Sequence, residues 1–362
     1  MKSIKEVVQE FCFDGDVVEI VPFGNGHIND TYRVMCSRGS YVLQKINHQI
    51  FLDPQGLIEN IEKVTRHIRQ KVIKRGGDPR REVLNLIPTH HQEYICQTKS
   101  GDFWRAYELI ENSKSLDLVE NKEDFYQSGL AFGAFQKDLE DFPVDTLNLT
   151  IEDFHHTPKR YDQFHKSLKL NKSGRKHFAL PEIEFALKHQ EFADTLWDYH
   201  QQGLLPLKVT HNDTKLNNVL LDADSNDVLC VVDLDTVMPG FSLDDFGDSI
   251  RFGASTALED EKDLSKVHLS IPYYEAYVDG FIEGAGGSLS DLEIKLFPEG
   301  AKMMTLECGL RFLKDYIDGD VYFKTSYPDH NLVRARTQFK LVQEMDDSWE
   351  ILKKISATRL KV

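Results

Sequence analysis

Apolar residues in the first third of the chain recur at strand-like spacing, and beyond it mostly at helical spacing. Segments 17–23, 28–35 and 40–46 predict three strands. Gly24-Asn25-Gly26 separates the first pair and Ser37-Arg38-Gly39-Ser40 the second, each a hairpin turn signal. Residues 3–12 predict a short helix. Leu57, Ile61, Val64 and Ile68 share one helical face, so 56–73 predicts a longer one. Further strands are expected at 84–88, 93–97 and 103–109, the last after the turn Lys99-Ser100-Gly101-Asp102. Together these make a mostly antiparallel sheet with one helix against it.

Past Ile110-Glu111-Asn112 the pattern turns to long helices, at 121–138, 181–202, 263–283, 299–318 and 331–356. Residues 206–233 interrupt them with short strands and loops. The expected architecture is therefore α+β and bilobal: a β-rich lobe over 1–111 and a larger, mainly helical lobe over 112–362.

Composition narrows the function. Of 362 residues, 41% are hydrophobic and 28% charged, ordinary values for a globular protein. A net charge of −16 argues against a general nucleic-acid-binding surface. No run approaches the roughly 20 apolar residues that span a bilayer, and Met1-Lys2-Ser3-Ile4-Lys5-Glu6 lacks the apolar core of a signal peptide. The five cysteines are scattered, odd in number and without metal spacing, as expected of reduced thiols in a cytoplasmic protein. Any phosphate-bearing ligand of so acidic a chain must be held by a metal ion and by local positive groups.

The chemistry concentrates in His211-Asn212-Asp213-Thr214-Lys215-Leu216-Asn217-Asn218, which reads H-x-D-x-x-x-x-N. The apolar run Val228-Leu229-Cys230-Val231-Val232 then delivers Asp233. An Asp, an Asn five residues on and a second Asp after a hairpin are the parts of a phosphoryl-transfer site. Asp213 takes the proton of the attacking hydroxyl. Asn218 and Asp233 offer the hard oxygen ligands that Mg²⁺ prefers. Taken alone, each could be an ordinary turn residue; the shared spacing favours the catalytic reading. His211 reads as a scaffold for the loop. Asp235 is either a further ligand contact or a structural group. Asp245-Phe246-Gly247 matches the protein-kinase D-F-G triplet but lies too far from Asn218 to be the metal arm. Its carboxylates read as the start of a helix, one of them bracing the catalytic loop.

Gly24-Asn25-Gly26-His27 lies between two strands, where glycines let backbone amides approach phosphates; a plain turn has the same composition. His27, which no turn requires, can reach the substrate. In Tyr41-Val42-Leu43-Gln44-Lys45 the position of a kinase strand cation falls on Gln44, with Lys45 on the other face. Either Gln44 serves as a neutral donor or the register is off by one. Glu62 on the following helix is the candidate partner. The segment Phe103–Ile110, with Tyr107 and Leu109, suits both a core strand and a hinge whose backbone reads an adenine edge. Arg311, in a stretch expected to be buried, needs a carboxylate or a ligand. Asp318-Gly319-Asp320-Val321-Tyr322 adds a polar, aromatic corner fit for a neutral polar ligand.

With these residues on the page, the chain resembles the aminoglycoside-phosphotransferase-like kinases of small molecules. Gly24-Asn25-Gly26-His27-Ile28-Asn29, Tyr41-Val42-Leu43-Gln44, the run from Thr210 to Asn218, the run from Asp245 to Glu261 and Glu307-Cys308-Gly309-x-Arg311-Phe312-Leu313 are similar to bacterial N-acetylhexosamine 1-kinases within that superfamily. The resemblance implies ATP- and Mg²⁺-dependent phosphorylation of the anomeric hydroxyl of N-acetylglucosamine or N-acetylgalactosamine to the α-1-phosphate, by a monomer with a small-molecule acceptor and no nucleic-acid or membrane partner. It further implies Asp213 as base, Asn218 and Asp233 at Mg²⁺, and His27, Thr214, Arg311 and Tyr322 at the sugar. Ile20, Gly24, Asn25, Gly26, Gln44, Tyr107, Leu109 and Phe252 are implied at the nucleotide.

Overall fold

The computed structural model describes residues 4–24 and 28–360. In chain order the helices are α1 (Ile4–Val8), α2 (Pro54–Arg75), α3 (Lys122–Asp138), α4 (Thr157–Leu170), α5 (Leu180–Lys188), α6 (Thr195–Gln201), α7 (Ser242–Gly253), α8 (Ile271–Ala285), α9 (Asp291–Lys295), α10 (Phe297–Asp318), α11 (His330–Asp347) and α12 (Trp349–Ala357). The strands are β1 (Val17–Pro22), β2 (Asp30–Cys36), β3 (Ser40–Ile46), β4 (Cys96–Gln97), β5 (Phe103–Glu108), β6 (Ser113–Lys114), β7 (Lys208–Thr210), β8 (Val219–Asp222), β9 (Val228–Val231) and β10 (Met238–Gly240). The α+β class expected from the sequence is what the chain adopts. No helix among the described residues is long and apolar enough to cross a membrane.

The chain divides into two compact units, each discontinuous in sequence. The first comprises 1–115, 138–152 and 218–239. Its antiparallel sheet has the order β1-β2-β3-β5-β4. Val34, Leu43 and Ala106, all fully buried, form its core face with Val7, Val8 and Phe11. The hairpin β8–β9 belongs here because β8 also pairs with β6, which places the end of the first segment and the post-catalytic hairpin in one small sheet. Asp53 caps α2 through the Gly56 amide at 3.0 Å, and Gly76 ends it in the left-handed conformation at φ 80°. Within α2, buried Asn60 donates to the carbonyls of Asn148 at 2.8 Å and Val237 at 3.1 Å, tying the helix to the segment after β9.

The segment expected as a strand at 84–88 only runs alongside β5. The Ile87 amide donates to Ala106 O and the Glu108 amide to Asn85 O, both at 2.8 Å. Pro88 has no amide with which to continue the ladder.

The second unit comprises 116–137, 153–217 and 240–362. It is built around α10, whose Leu306, Leu310, Leu313 and Ile317 pack with Tyr161 and Phe164 of α4, Ile183 and Ala186 of α5, and Leu332, Ala335, Phe339 and Val342 of α11. The single helix expected over 181–202 is broken, because His189 turns its ring nitrogen back to the Phe185 carbonyl at 2.9 Å and ends α5. The helix expected from 263 starts at Ile271, where Ser270 caps it and Pro272 follows in the first turn.

Two glycine pairs let α3 and α8 approach backbone to backbone. A Cβ on Gly133 would stand 2.3 Å from the Phe281 carbonyl oxygen, and one on Gly280 2.2 Å from that of Tyr126. Gly133→Val is therefore expected to destabilise the protein by at least about 1–3 kcal/mol through overpacking against backbone that cannot yield. Urea or thermal unfolding of the variant checks this, and a midpoint equal to wild type would contradict the packing described.

Candidate active site

The chemistry-bearing loop of the second unit follows β7, and one carboxylate takes two of its amides. Asp245, on the first turn of α7 and fully buried, accepts the His211 amide at 3.0 Å and the Asn212 amide at 2.7 Å. It also accepts Gln136 Nε2 at 2.7 Å. The D-F-G triplet thus anchors the loop. Burial pushes the Asp245 carboxyl above its ordinary pKa against the pull of His211 and these donors. Asp248 accepts the Thr214 amide at 3.0 Å and is ion-paired at 2.9 Å with Arg251, which also reaches Glu259 at 3.0 Å. His211 is buried between the rings of Phe132 and Phe135 and takes the Asp213 amide on Nδ1 at 3.3 Å.

This anchoring turns Asp213 toward Lys215, 2.8 Å away. Burial disfavours the charged carboxylate, but Lys215, His211 and Arg251 outweigh it and hold Asp213 below the usual carboxylate range. It is ionised at neutral pH and suited to accepting a hydroxyl proton or hydrogen bond. Thr214, expected at the substrate, is instead part of the anchorage. Its hydroxyl donates to the Asp245 carbonyl at 2.6 Å and the residue is 1% exposed.

A second network of the same unit extends from Asn212 to Glu307. The left-handed backbone of Asn212, at φ 65°, presents its carbonyl to His155 Nε2 at 3.0 Å. His155 Nδ1 meets Glu307 at 2.8 Å, and Thr157 donates to the other Glu307 oxygen at 2.7 Å. Burial opposes the imidazolium, yet Glu307 and the acceptors around it raise His155 above its ordinary pKa. Glu307 is held low by His155, Arg311 and Arg160 despite burial.

Arg311 has no carboxylate within 4.0 Å among the described residues and lies over the rings of Phe154 at 5.2 Å, Phe323 at 5.7 Å and Tyr322 at 6.0 Å. Arg160, whose Nη2 donates to the Phe154 carbonyl at 2.7 Å, is lowered by burial and by the adjacent Arg311 charge. Tyr322 is exposed, and its corner is fixed by Asp315, which accepts the amides of Val321, Tyr322 and Phe323 at 2.9–3.0 Å. Sequence reasoning found Arg311 and Tyr322 and missed His155, Arg160 and Asp315. His155 and Arg160 have as their only signal the His-His-Thr-Pro start of α4, an unrecognised helix, and Asp315 lies unmarked within the helix expected at 299–318.

In the first unit, the register Val219↔Val231 puts Asn218 and Asp233 at the same end of the β8–β9 hairpin. The Asn218 carbonyl also takes the Val232 amide at 2.9 Å, and Asp233 turns the chain at φ 60°. Among the described residues no three His, Cys, Asp or Glu side chains cluster as a self-sufficient metal site. One amide and one carboxylate oxygen fit an ion that draws its other ligands from water and phosphate, which is the habit of Mg²⁺.

On the sheet, Gln44 faces away from the core and lies opposite Arg105 of β5, so the β3 register read from alternation stands. Arg105 donates from Nε and Nη2 to Gln44 Oε1 at 3.0 and 2.9 Å, and pairs with buried Asp235. Glu62 is instead 3.6 Å from Arg66 of its own helix. Ile20 is half-buried on β1, and Tyr107 is buried, its hydroxyl raised well above its usual pKa by burial. The Leu109 amide, a candidate for reading a base edge, is committed to Ser40 O at 2.9 Å. Gly24 has φ 76°. Asn25, Gly26 and His27 lie outside the described residues. Phe252 is on α7, in the second unit rather than with Ile20 and Tyr107.

A β-rich unit with the β8–β9 hairpin and a helical unit with the anchored Asp213 loop make up a phosphotransferase of kinase-like fold. The chain belongs to the phosphotransferase enzyme family, whose model matches residues 19–281. Solved structures with the same fold include a microcompartment-associated aminopropanol kinase, at 12% identity and TM-score 0.67 over 97% of this chain and 98% of that one. A spectinomycin phosphotransferase in complex with ADP and spectinomycin matches at 13% identity and TM-score 0.58 over 96% and 97%. A choline/ethanolamine kinase family protein from Mesorhizobium loti matches at 14% identity and TM-score 0.55 over the full length of both chains.

Because Lys215 is a main cause of the depressed Asp213 pKa, its removal has a signed consequence. Lys215→Met raises the Asp213 pKa, so the acid limb of the kcat–pH profile moves to higher pH while the plateau near neutrality survives in reduced form. A limb left at the wild-type position would show that Asp213 ionisation does not govern turnover.

Proposed function

We propose that this phosphotransferase uses ATP and Mg²⁺ to phosphorylate the anomeric hydroxyl of N-acetylhexosamines, giving the α-1-phosphate. The observation that carries the acceptor class is the charge around Arg311. His155, Arg160 and Arg311 all act on the buried Glu307, with Asp244 and Asp153 as lesser partners of His155 and Arg160. An ammonium acceptor of the amino-alcohol type would meet like charge there. The aromatic faces that could cage it, Phe154, Tyr322 and Phe323, already receive the Arg311 guanidinium. A neutral sugar with an amide carbonyl and several hydroxyls suits guanidinium donors instead.

In this reading Asp213 accepts the hydrogen bond of the 1-hydroxyl and takes its proton as the new bond forms, while its fixed position aligns the oxygen with the γ-phosphorus. Arg311, His27 and Tyr322 orient the sugar. Asn218 and Asp233 would hold Mg²⁺, which would supply charge neutralisation at the phosphates. The Gly24–Gly26 segment lies along the phosphates, and Ile20, Gln44, Tyr107, Leu109 and Phe252 serve the nucleotide side. The nucleotide assignment draws support from the related spectinomycin enzyme, solved with ADP. The lobe division at 111/112 is read functionally, nucleotide before it and catalysis with sugar binding after it, except that the metal arm returns to the first unit. The enzyme is read as a cytoplasmic monomer.

Steady-state assays on a panel of N-acetylglucosamine, N-acetylgalactosamine, glucose, choline, ethanolamine and aminopropanol test the class. The N-acetylated sugars should lead in kcat/KM, and turnover confined to the amino alcohols would overturn the reading. Asp213→Ala should abolish nearly all turnover with the fold intact by circular dichroism. Arg311→Ala should raise the acceptor KM far more than the ATP KM; equal effects on both would return Arg311 to a purely structural part.

A further inference from the structure

Strand β3 bears Gln44 where a kinase sheet carries the cation that steadies the nucleotide phosphates. The helix carboxylate that would pair with such a cation, Glu62, is turned to Arg66. A pair of the same chemistry nevertheless exists one strand over. Arg105 of β5 stands directly opposite Gln44 in the β3–β5 ladder and on the same face of the sheet. It is 1% exposed. Its Nε and Nη2 hold the Gln44 carbonyl at 3.0 and 2.9 Å, and Nη1 is ion-paired with Asp235. Gln44 in turn donates to Thr31 Oγ1 at 3.1 Å, which fixes which way its amide points.

Asp235 extends the network in two directions. One of its oxygens accepts Asn29 Nδ2 at 2.8 Å, and Asn29 holds the Asn47 amide at 3.0 Å. Asn29 stands in sequence at the exit of the glycine-rich segment, three residues past Gly26. In the other direction, Asp235 is two residues from Asp233, the carboxylate read as the metal arm, and its own carbonyl takes Thr150 Oγ1 at 3.2 Å. The charge of Asp233 also helps keep Arg105 protonated against its burial. A buried guanidinium is costly unless paired, and apolar residues of similar size often replace such pairs without loss of stability. Its link through Asp235 to Asn29 and to the segment that carries Asp233 therefore calls for a role beyond holding the sheet.

We propose that Arg105 supplies, from β5, the cation that β3 lacks, and that as a positioning residue acting through Asp235 it sets the geometry of Asn29 and Asp233 for the phosphate tail of a nucleotide. The inference rests on the nucleotide-kinase reading above. It separates two properties that a merely structural pair would not: affinity for the phosphate tail depends on Arg105, and affinity for the nucleoside does not.

The experiment compares binding of ADP with Mg²⁺ and of adenosine by titration calorimetry, with melting measured in parallel. In the charge-neutral double variant Arg105→Gln/Asp235→Asn, the pair keeps hydrogen bonds without charge. Its ADP affinity is expected to fall at least tenfold, with adenosine affinity within about twofold of wild type. In Arg105→Lys, which keeps the charge and loses the double contact to Gln44, the preference for ADP over adenosine is expected to survive within about threefold. A folded double variant with the wild-type ADP-to-adenosine ratio overturns the proposal, as does an Arg105→Lys protein that loses the preference completely. Wild-type protein that binds neither ligand would overturn the nucleotide-kinase reading itself, an outcome distinct from either.

Discussion

The loop after β7 depends on one buried carboxylate taking two consecutive backbone amides. Asp245 receives the amides of His211 and Asn212, and with them fixes the direction in which Asp213 leaves the strand. Left without an acceptor, two buried amides would each cost about 1–3 kcal/mol, more than such a loop gains from its own short contacts. The remaining bonds follow from this placement. Thr214 can then close on the Asp245 carbonyl, Ser249 on the Thr214 carbonyl, and the Asn212 carbonyl is turned out to His155. The helix that carries Asp245 approaches α10 closely enough that a Cβ on Gly247 would stand 2.2 Å from the Gly300 carbonyl oxygen. Loop geometry is thus inherited from helix packing.

The distribution of charge gives the fold its chemistry. In a chain of net charge −16, cations withdrawn from solvent gather around carboxylates. Arg105 with Asp235 does this in the first unit, and Arg311, Arg160 and His155 around Glu307 do it in the second. The second group carries three basic side chains around Glu307, and in the proposed reading that charge disfavours an ammonium acceptor. The family and its solved relatives define phosphoryl transfer and the fold; the charge balance is what speaks to the acceptor.

Much of this was legible in the sequence, for identifiable reasons. The three strands of 17–46 and the helix over 54–75 carry strong periodicity and clean turn signals, and they formed where the pattern put them. The loop from His211 to Asn218 is contiguous, so its spacing could be read directly. The α4 helix, with only four buried residues along its length, gave too weak an apolar stripe to be seen. The breaks at His189 and Ser348 depend on caps that periodicity does not register. The site residues that escaped, Arg105, His155, Arg160 and Asp315, owe their roles to partners far away in the chain. Glu307 lies 152 residues from His155, and no local pattern encodes that pairing. Thr214, which the resemblance placed at the sugar, has its hydroxyl bonded to the Asp245 carbonyl, a partner 31 residues away that no local pattern shows.

The central claim is that Asp213 directs phosphoryl transfer to the anomeric oxygen of an N-acetylated sugar. The product formed from ATP, Mg²⁺ and N-acetylglucosamine, examined by ³¹P NMR with proton coupling, tests it most directly. The account predicts one new phosphomonoester signal coupled to the α-anomeric proton, absent with Asp213→Ala. Phosphate on the 6-hydroxyl, or a sugar left unmodified while an amino alcohol is phosphorylated, would contradict it.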